Sequence, residues 1–197
     1  MSSSETRPIR VILRADGSQN IGMGHVVRSL VLAQFLVDAG AWVRLIGQGV
    51  ERAQKFANSF VSVPDEEAIL DGSAEDARSV ITLSPDVVVV DGYHFSRGFF
   101  EELDKHRIPF VVIDDNGETQ ATSPAIILNQ NPHATPEMYL KKAENATLLL
   151  GPNFSLLRKE ISELARANRR KSHITVTFGG TDVLSLTEPV SLALKAR

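Results

Sequence analysis

The chain has 197 residues, 43% of them hydrophobic, and a formal net charge of −3. This length and composition are typical of a folded chain with a substantial core and argue against general disorder. The slightly acidic balance argues against a nucleic-acid-binding protein, which normally carries a basic surplus. The absence of cysteine excludes disulfides, thiolate catalysis and thiolate zinc sites.

The first eight residues, MSSSETRP, are polar and lack the apolar core of a secretory signal peptide. Residues 1–8 are therefore predicted to form a disordered tail. No apolar stretch approaches the roughly 20 residues that a membrane-spanning helix needs. The simplest expectation is a cytoplasmic protein with no membrane span.

Short apolar runs alternate with helical patterns along most of the chain. Strands are predicted at 9–13, 42–46, 86–91, 109–113, 125–128 and 147–150. Helices are predicted at 25–39, 96–106 and 154–166. The valine run 87–90 does not alternate with polar residues, which is typical of a central parallel strand covered on both faces. Together these elements predict an α/β fold with a Rossmann-like parallel sheet and helices on both faces.

A basic stretch, residues 166–172, separates this pattern from a shorter one. It indicates a helix end that runs into an inter-domain linker. Its basic residues fit a solvated helix end and a phosphate-binding role about equally well. A strand at 173–178 and a helix at 187–196 follow. One strand and one helix cannot bury their own faces, so the chain is expected to end inside a second domain. The predicted division is an N-terminal Rossmann-like domain at 9–168, and a linker plus the first βα unit of a truncated second Rossmann-like domain at 169–197.

Polar residues follow nearly every predicted strand. In an open parallel sheet, ligands bind beyond the carboxyl ends of the strands, so these residues are expected to meet at one edge. The candidate substrate-binding residues at these positions are Arg14, Asp16, Asp91, His94, Asp114, Asn129, Gly179, Gly180 and Thr181. Their convergence predicts a site for a polar small molecule.

The loop that begins at Gly22 and leads through Gly24 to His25 is the most informative of these segments. Glycines before a helix let the backbone approach a ligand and expose free N–H groups at the positive helix end. Gly22 and Gly24 are therefore candidate substrate-binding residues as well. A dinucleotide fingerprint needs a third glycine where Val27 stands, so nicotinamide binding is not expected and no cofactor is predicted.

His25 stands at the predicted start of the first helix, where the positive helix end favours a neutral imidazole. A neutral imidazole can accept a proton from water. Arg28 lies one turn later on the same helix face and could hold an anionic group. Spacing alone leaves open whether His25 is a general base or a capping residue, and whether Arg28 binds substrate or is a surface charge.

The segments after the third and fourth predicted strands are ambiguous in a similar way. Asp91 is either a ligand contact or the cap of the next helix, and Tyr93 is either a packing residue or a hydroxyl and stacking face for a ligand. Asp114 and Asp115 could suggest a metal. No histidine or further carboxylate stands in register with them, so turn capping is favoured and no metal is predicted.

A known family shares this set of loops. The matching segments are IRVILRADGSQNIGMGHVVRSLVLAQFLVDAG, VVVVDGYHFS, VVIDD, ILNQNPHA, LLLGPNFSLLRKEI and VTFGGTD. In these segments, and so over nearly the whole chain from Ile9 onward, the chain resembles the UDP-sugar hydrolases of pseudaminic acid biosynthesis and the related spore-coat polysaccharide biosynthesis proteins. The resemblance implies the N-terminal half of a GT-B-like fold, in which two Rossmann-like domains face each other across a cleft.

The same resemblance implies a nucleotide-sugar substrate whose UDP lies mainly on the second domain, and no metal. It implies two catalytic residues: His25, which activates the attacking water, and Tyr93, which lines the same pocket. Gly92 and His94 on either side of Tyr93 depart from the family pattern, which indicates a different sugar.

Three functions remain open at this point. The first is hydrolysis of a UDP-activated amino or deoxy sugar with release of UDP. The second is glycosyl transfer from a nucleotide sugar, because GT-B glycosyltransferases share the fold and the glycine loop. The third is an inactive or sugar-binding fragment, because the predicted second domain stops after its first βα unit.

Overall fold

The computed structural model describes residues 7–18, 21–51, 69–140, 145–161, 174–178, 182 and 184–195. Its strands are β1 (Arg10–Ala15), β2 (Trp42–Ile46), β3 (Val87–Asp91), β4 (Phe110–Ile113), β5 (Ile126–Asn129) and β6 (Thr147–Leu150). Its α-helices include α1 (Gly24–Asp38), α2 (Ala74–Ile81), α3 (Arg97–Lys105) and α4 (Thr187–Lys195). Each predicted strand before residue 151 matches one of these strands to within two residues at either end.

The six strands form one parallel sheet in the order β2-β1-β3-β4-β5-β6. The chain leaves β1 toward β2 and then returns across β1 to β3, so its direction reverses between β1 and β3. A parallel crossover is nearly always right-handed, so this reversal also moves the connecting helix to the other face. The carboxyl ends of β1 and β3 therefore flank the crevice at which open α/β sheets bind ligands.

Helices cover both faces of this sheet. On one face, Leu30 of α1 lies in a buried cluster with Val89 of β3. On the other face, Val88 and Val90 lie in a buried cluster with Phe99 of α3 and with residues of α2. Alternate valines of β3 thus enter opposite clusters, which is why this strand is apolar without alternation. The predicted Rossmann-like α/β fold with helices on both faces is confirmed.

One helix is missing from the sequence prediction. No element is predicted between the strand at 42–46 and the strand at 86–91, whereas α2 occupies 74–81. Ser73 is its N-cap residue, and the Ser73 side chain accepts a hydrogen bond from the backbone N–H of Asp76. A serine cap followed by Glu75 and Asp76 in the first turn is a recognisable start signal for a helix.

The helix predicted at 154–166 begins later than expected. Residues 152–154 form a 3-10 turn, residues 155–158 are irregular, and helical residues start at 159. The backbone N–H of Leu156 donates to the side-chain carbonyl of Gln130 at 3.0 Å, so this stretch is tied to the loop after β5. Residues 162–173, which include the predicted linker, lie outside the described residues.

The C-terminal prediction is correct in one element and wrong in the other. α4 matches the predicted helix, but residues 174–178 form no strand, and most of them are exposed. A strand is stabilised by pairing with a neighbour, and no described strand pairs with this segment. The predicted second domain and its boundary at 168 therefore stay a prediction.

The disordered tail predicted for residues 1–8 stays a prediction, and Arg7 is the first described residue of the chain. Its guanidinium donates to both carboxylate oxygens of Asp86, at 2.8 and 2.7 Å, and so ties the chain to the segment before β3. The rest of that tail up to residue 6 lies outside the described residues. Within the described ranges, no helix combines the length and apolar character needed to cross a membrane.

Gly47, directly after β2, approaches the backbone of β1 more closely than a side chain permits. A Cβ atom on Gly47 would lie 1.7 Å from the carbonyl oxygen of Ala15, and its φ is +158°. Replacing Gly47 with alanine is therefore expected to lower the free energy of unfolding by about 2 kcal/mol or more, because the backbone must shift. Urea unfolding followed by circular dichroism measures the change.

The matched control for this prediction is Gly98→Ala in α3. A Cβ atom there would meet its nearest neighbours at 3.7 Å, an ordinary contact. Since alanine is the better helix former, the free energy of unfolding of this variant should rise by about 0.5–1 kcal/mol. Equal stabilities for the two alanine variants would contradict the close approach at Gly47.

Candidate active site

A cleft of about 440 Å³ opens at the carboxyl edge of the sheet, beside the first turns of α1. Four of the predicted site residues line it: Gly24, His25, Arg28 and Tyr93. A Cβ atom on Gly24 would meet no protein atom within 4 Å, so the space above this glycine belongs to the cleft. The segment 156–161, which sequence reasoning did not assign to the site, also lines the cleft.

His25 is held in one orientation by a buried carboxylate. Its Nδ1 lies 2.7 Å from Oδ1 of Asp91, which ends β3 and is fully buried. A carboxylate only accepts hydrogen bonds, so Nδ1 must carry the proton and the lone pair lies on Nε2. The N-cap position of α1 is Met23, and no side chain caps this helix. His25 is therefore not the cap of α1, and its imidazole is oriented by Asp91.

Arg28 is held between two carboxylates. Its Nε and Nη2 donate to the two oxygens of Asp91 at 2.6 and 2.5 Å. Its Nη1 donates to both oxygens of Asp115 at 2.8 Å. Burial works against the positive charge, but hydrogen bonds and charges from Asp91 and Asp115 raise the pKa of Arg28 above its ordinary value. This geometry does not support the predicted contact between Arg28 and an anionic ligand, because protein carboxylates already occupy the guanidinium.

Asp91 therefore orients side chains of α1 and does not cap the next helix. The N-cap residue of α3 is Ser96. The guanidinium Nη2 of Arg28 also lies 3.0 Å from Nδ1 of His25. Both of these nitrogens are donors in the assigned tautomer, so each donates to Asp91 and neither donates to the other.

Tyr93 lies beside His25, with ring centroids 4.9 Å apart in an edge-on arrangement. Its hydroxyl donates to Oδ2 of Asp115 at 2.8 Å. Burial, together with the hydrogen bond and charge of Asp115, raises the pKa of Tyr93 to about 12, so the phenol is a neutral donor at neutral pH. Burial raises the pKa of Asp115, but the charge of Arg28 and the hydrogen bond from Tyr93 outweigh it, and the net shift is downward.

Arg14, Asp16 and His94 form a separate cluster with Asp76 of α2. The Arg14 side chain is fully buried, and its Nη2 donates to Asp76 at 2.8 Å. Its Nη1 donates to Oδ1 of Asp16 at 2.5 Å. Nε2 of His94, which the sequence predicts as a substrate-binding residue, lies 2.8 Å from the other oxygen of Asp16. These contacts join the loops after β1 and β3 to α2, and they leave the Arg14 guanidinium no route to a ligand.

Asp16 makes the stability of the chain sensitive to acid. Burial raises the pKa of Asp16, but hydrogen bonds from His94 and Arg14 and the charge of Arg14 outweigh it and lower the pKa to about 2. The unfolded value is about 3.9. The carboxylate therefore stabilises the fold above about pH 4, and this contribution is expected to disappear as the pH falls toward 2.

Urea unfolding of the wild type and of Asp16→Asn between pH 6 and pH 2 measures this contribution. The wild type should be the more stable protein at pH 6. The difference in free energy of unfolding between the wild type and Asp16→Asn should decrease steadily below pH 4. Glu101→Gln, at an exposed position of α3 paired with Arg97, should leave stability nearly unchanged throughout. A difference that stays constant down to pH 2 would contradict the stabilising role of the Asp16 carboxylate.

The remaining predicted positions support the loops around the cleft. One Asp114 oxygen accepts the backbone N–H groups of Asn116 and Gly117 at 3.1 and 3.0 Å, which is the capping role favoured from the sequence. Asn129 is buried and donates to the hydroxyl of Tyr139 at 3.0 Å. Gly22 has a φ of +79°, which glycine adopts without strain. Gly179, Gly180 and Thr181 lie outside the described residues.

Two acidic residues in these networks were not predicted as site residues. Asp76 could not be assigned because its helix was not predicted, and Asp115 was considered only as a turn or metal residue. Neither pairing has a local sequence signal. Among the described residues, no three histidine or acidic side chains are grouped so as to hold a metal ion.

Comparison with known proteins gives one informative relationship. The chain is 25% identical over 200 residues to UDP-2,4-diacetamido-2,4,6-trideoxy-beta-L-altropyranose hydrolase of Campylobacter jejuni, which covers 94% of this chain and 66% of that protein. The resemblance predicted from the motifs is confirmed. The chain is also 21% identical over 192 residues to uncharacterized protein MJ1062 of Methanocaldococcus jannaschii, across 91% of this chain and 38% of that protein.

The chain thus spans slightly less than two thirds of the Campylobacter protein and a smaller part of the Methanocaldococcus protein. No protein-family profile matches it. Among solved structures, it is similar to MurG of Acinetobacter baumannii with a TM-score of 0.48 and 18% sequence identity, over 66% of this chain and 43% of that one.

Proposed function

We propose that this chain carries the water-activating site of an enzyme that hydrolyses a UDP-activated amino or deoxy sugar and releases UDP. The observation that carries the proposal is the buried Asp91 carboxylate at 2.7 Å from Nδ1 of His25, in a cleft that His25 lines. Similarity over 94% of the chain to a protein named as a UDP-sugar hydrolase supports the choice of substrate class.

The proposed reaction begins with a water molecule at Nε2 of His25. Its proton passes to Nε2 as its oxygen attacks the anomeric carbon, and the bond from that carbon to the diphosphate oxygen breaks. The bonding electrons leave with UDP, which is a good leaving group and needs no strong general acid. Asp91 keeps the imidazole in the reactive tautomer and stabilises the imidazolium that forms, as the carboxylate does in a catalytic triad.

Tyr93 and Arg28 hold this base in place. The Tyr93 ring packs edge-on against the imidazole, and its hydroxyl is fixed by Asp115. Arg28 joins Asp91 to Asp115, so the carboxylate that orients His25 is itself oriented. A base fixed from two sides loses little entropy when it meets the water, which is the advantage of a preorganised site.

Incubation of the chain with a UDP-activated diacetamido sugar, without any acceptor, tests the proposal. Release of UDP and free sugar at equal rates is the expected result. UDP release that requires an added sugar acceptor would contradict hydrolysis and favour a glycosyltransferase. Binding of the nucleotide sugar without turnover would instead favour a sugar-binding fragment, a real alternative for a chain that spans part of its relatives.

A further inference from the structure

Arg28 and Asp115 form the wall of the cleft around His25, and the fully buried Asp91 contacts both His25 and Arg28. Together these three charged side chains carry more negative than positive charge. Arg28 contributes one positive charge, and its three nitrogens donate to Asp91 and Asp115. These two residues accept on all four of their oxygens, so both are carboxylates. With a neutral His25, the group has a net charge of about −1 by simple counting of ionised side chains. Such a wall repels a diphosphate.

Arg158 lines the same cleft from the segment that follows β6. Its side chain is exposed, and within the described part of the chain no carboxylate pairs with it and no side-chain group accepts a hydrogen bond from it. The charge of Arg28 is neutralised inside the protein, whereas the charge of Arg158 is available to a ligand. The cleft therefore has one carboxylate-rich wall and one cationic wall.

Residues on both sides of Arg158 are held by contacts with other parts of the fold. The Leu156 N–H donates to the Gln130 side chain at 3.0 Å. The ammonium group of Lys159 pairs with Asp38 at the end of α1 and lies 5.6 Å from the ring centre of Phe35. Because its neighbours are anchored to the loop after β5 and to α1, Arg158 is presented to the cleft from a defined position.

We propose that Arg158 binds the diphosphate of the nucleotide sugar, with the anomeric carbon directed toward His25. This inference rests on the proposed function and assigns a direction to its substrate. The planar guanidinium offers paired N–H donors that match phosphate oxygens. The carboxylate-rich wall around His25 favours positive charge on the sugar ring as the bond to the diphosphate breaks, as expected for an oxocarbenium-like transition state. Repulsion from that wall also disfavours the reversed orientation.

Isothermal titration calorimetry of the purified chain with UDP, inorganic pyrophosphate and uridine tests this assignment. Arg158→Gln is expected to raise the Kd for UDP and for pyrophosphate about tenfold or more, since it removes a charge-assisted contact. The Kd values of Arg158→Lys for UDP and pyrophosphate should lie between those of the wild type and of Arg158→Gln, because an ammonium keeps the charge and loses the paired donors. The affinity for uridine, which has no phosphate, should not change.

Arg107→Gln is the matched control, since Arg107 is an exposed arginine before β4, at the opposite edge of the sheet. It should bind all three ligands like the wild type. Circular dichroism and the unfolding midpoint verify that the Arg158 variants are folded, as expected for an exposed position.

Equal affinities of the wild type and Arg158→Gln for UDP and pyrophosphate would overturn the assignment, and so would failure of the wild type to bind either ligand. The proposed hydrolysis can fail separately. If UDP binding depends on Arg158 but no sugar is hydrolysed, the diphosphate assignment stands and hydrolysis does not. If sugar is hydrolysed with the same KM and UDP affinity after Arg158→Gln, hydrolysis stands and this inference does not.

Discussion

Replacing His25 with glutamine is expected to lower the rate of UDP release from a UDP-activated sugar by about 10²–10⁴-fold, the usual contribution of a general base. Glutamine has a similar reach but no group that accepts a proton at neutral pH. Affinity for UDP should change little, because the His25 side of the cleft is the carboxylate-rich one. The measurement is steady-state release of UDP, with UDP binding by calorimetry on the same preparation.

His106→Gln is the matched control for this result. His106 follows α3 and bonds the backbone carbonyl of Glu102 at 2.9 Å, at the edge of the sheet away from the cleft. The His106→Gln variant should release UDP at the wild-type rate. A His25→Gln variant that keeps more than about half of the wild-type rate would show that another group activates the water, because a general base typically contributes about 10²-fold or more.

Asp91→Asn tests whether Asp91 acts by orienting His25, the proposed base. An amide can present its NH₂ group to Nδ1, which favours the wrong tautomer of His25 and disturbs the Arg28 contacts. A large loss of rate is expected, accompanied by a change in the ¹⁵N chemical shifts of the His25 ring. If the role of Asp91 is purely structural, Asp91→Asn will lower the free energy of unfolding and leave the His25 tautomer unchanged.

Replacing Asp76 with alanine is expected to lower the free energy of unfolding by about 3–5 kcal/mol, the cost of breaking a buried ion pair from one side. Arg14 is fully buried, and its Nε and Nη2 both donate to Asp76. Without Asp76, the carboxylate that still pairs with Arg14 among the described residues is Asp16, which His94 also contacts. Urea unfolding at constant m-value measures the loss.

Glu75→Ala, at the neighbouring position of the same helix, is the matched control. Glu75 is half-exposed and pairs with Arg78 on the surface, so its removal should cost less than about 1 kcal/mol. The double variant Arg14→Leu, Asp76→Leu should recover part of the loss, because it removes both buried charges. A loss below about 1 kcal/mol for Asp76→Ala would mean that solvent reaches Arg14.

The sequence by itself determined the α/β fold class, the strands up to β6 and the position of the glycine loop. These features are written in local patterns. The valine run of β3 has no polar alternation because helices cover both of its faces, and the glycines before α1 stand where a loop meets a helix. The resemblance to UDP-sugar hydrolases rests on motifs of the same local kind.

Only the tertiary structure decided which charges are available to a ligand. Arg14 meets Asp76 across 62 positions of the chain, and Arg28 meets Asp115 across 87. Arg14 in β1 and Arg28 in α1 flank the glycine loop and suggest ligand contacts from the sequence, yet both are occupied by carboxylates from distant elements. Partner choice depends on how strands and helices pack in three dimensions, and local periodicity carries no information about it. For the same reason, Arg158 emerged as the available cation among the described residues of the cleft only when the segment after β6 was seen beside α1.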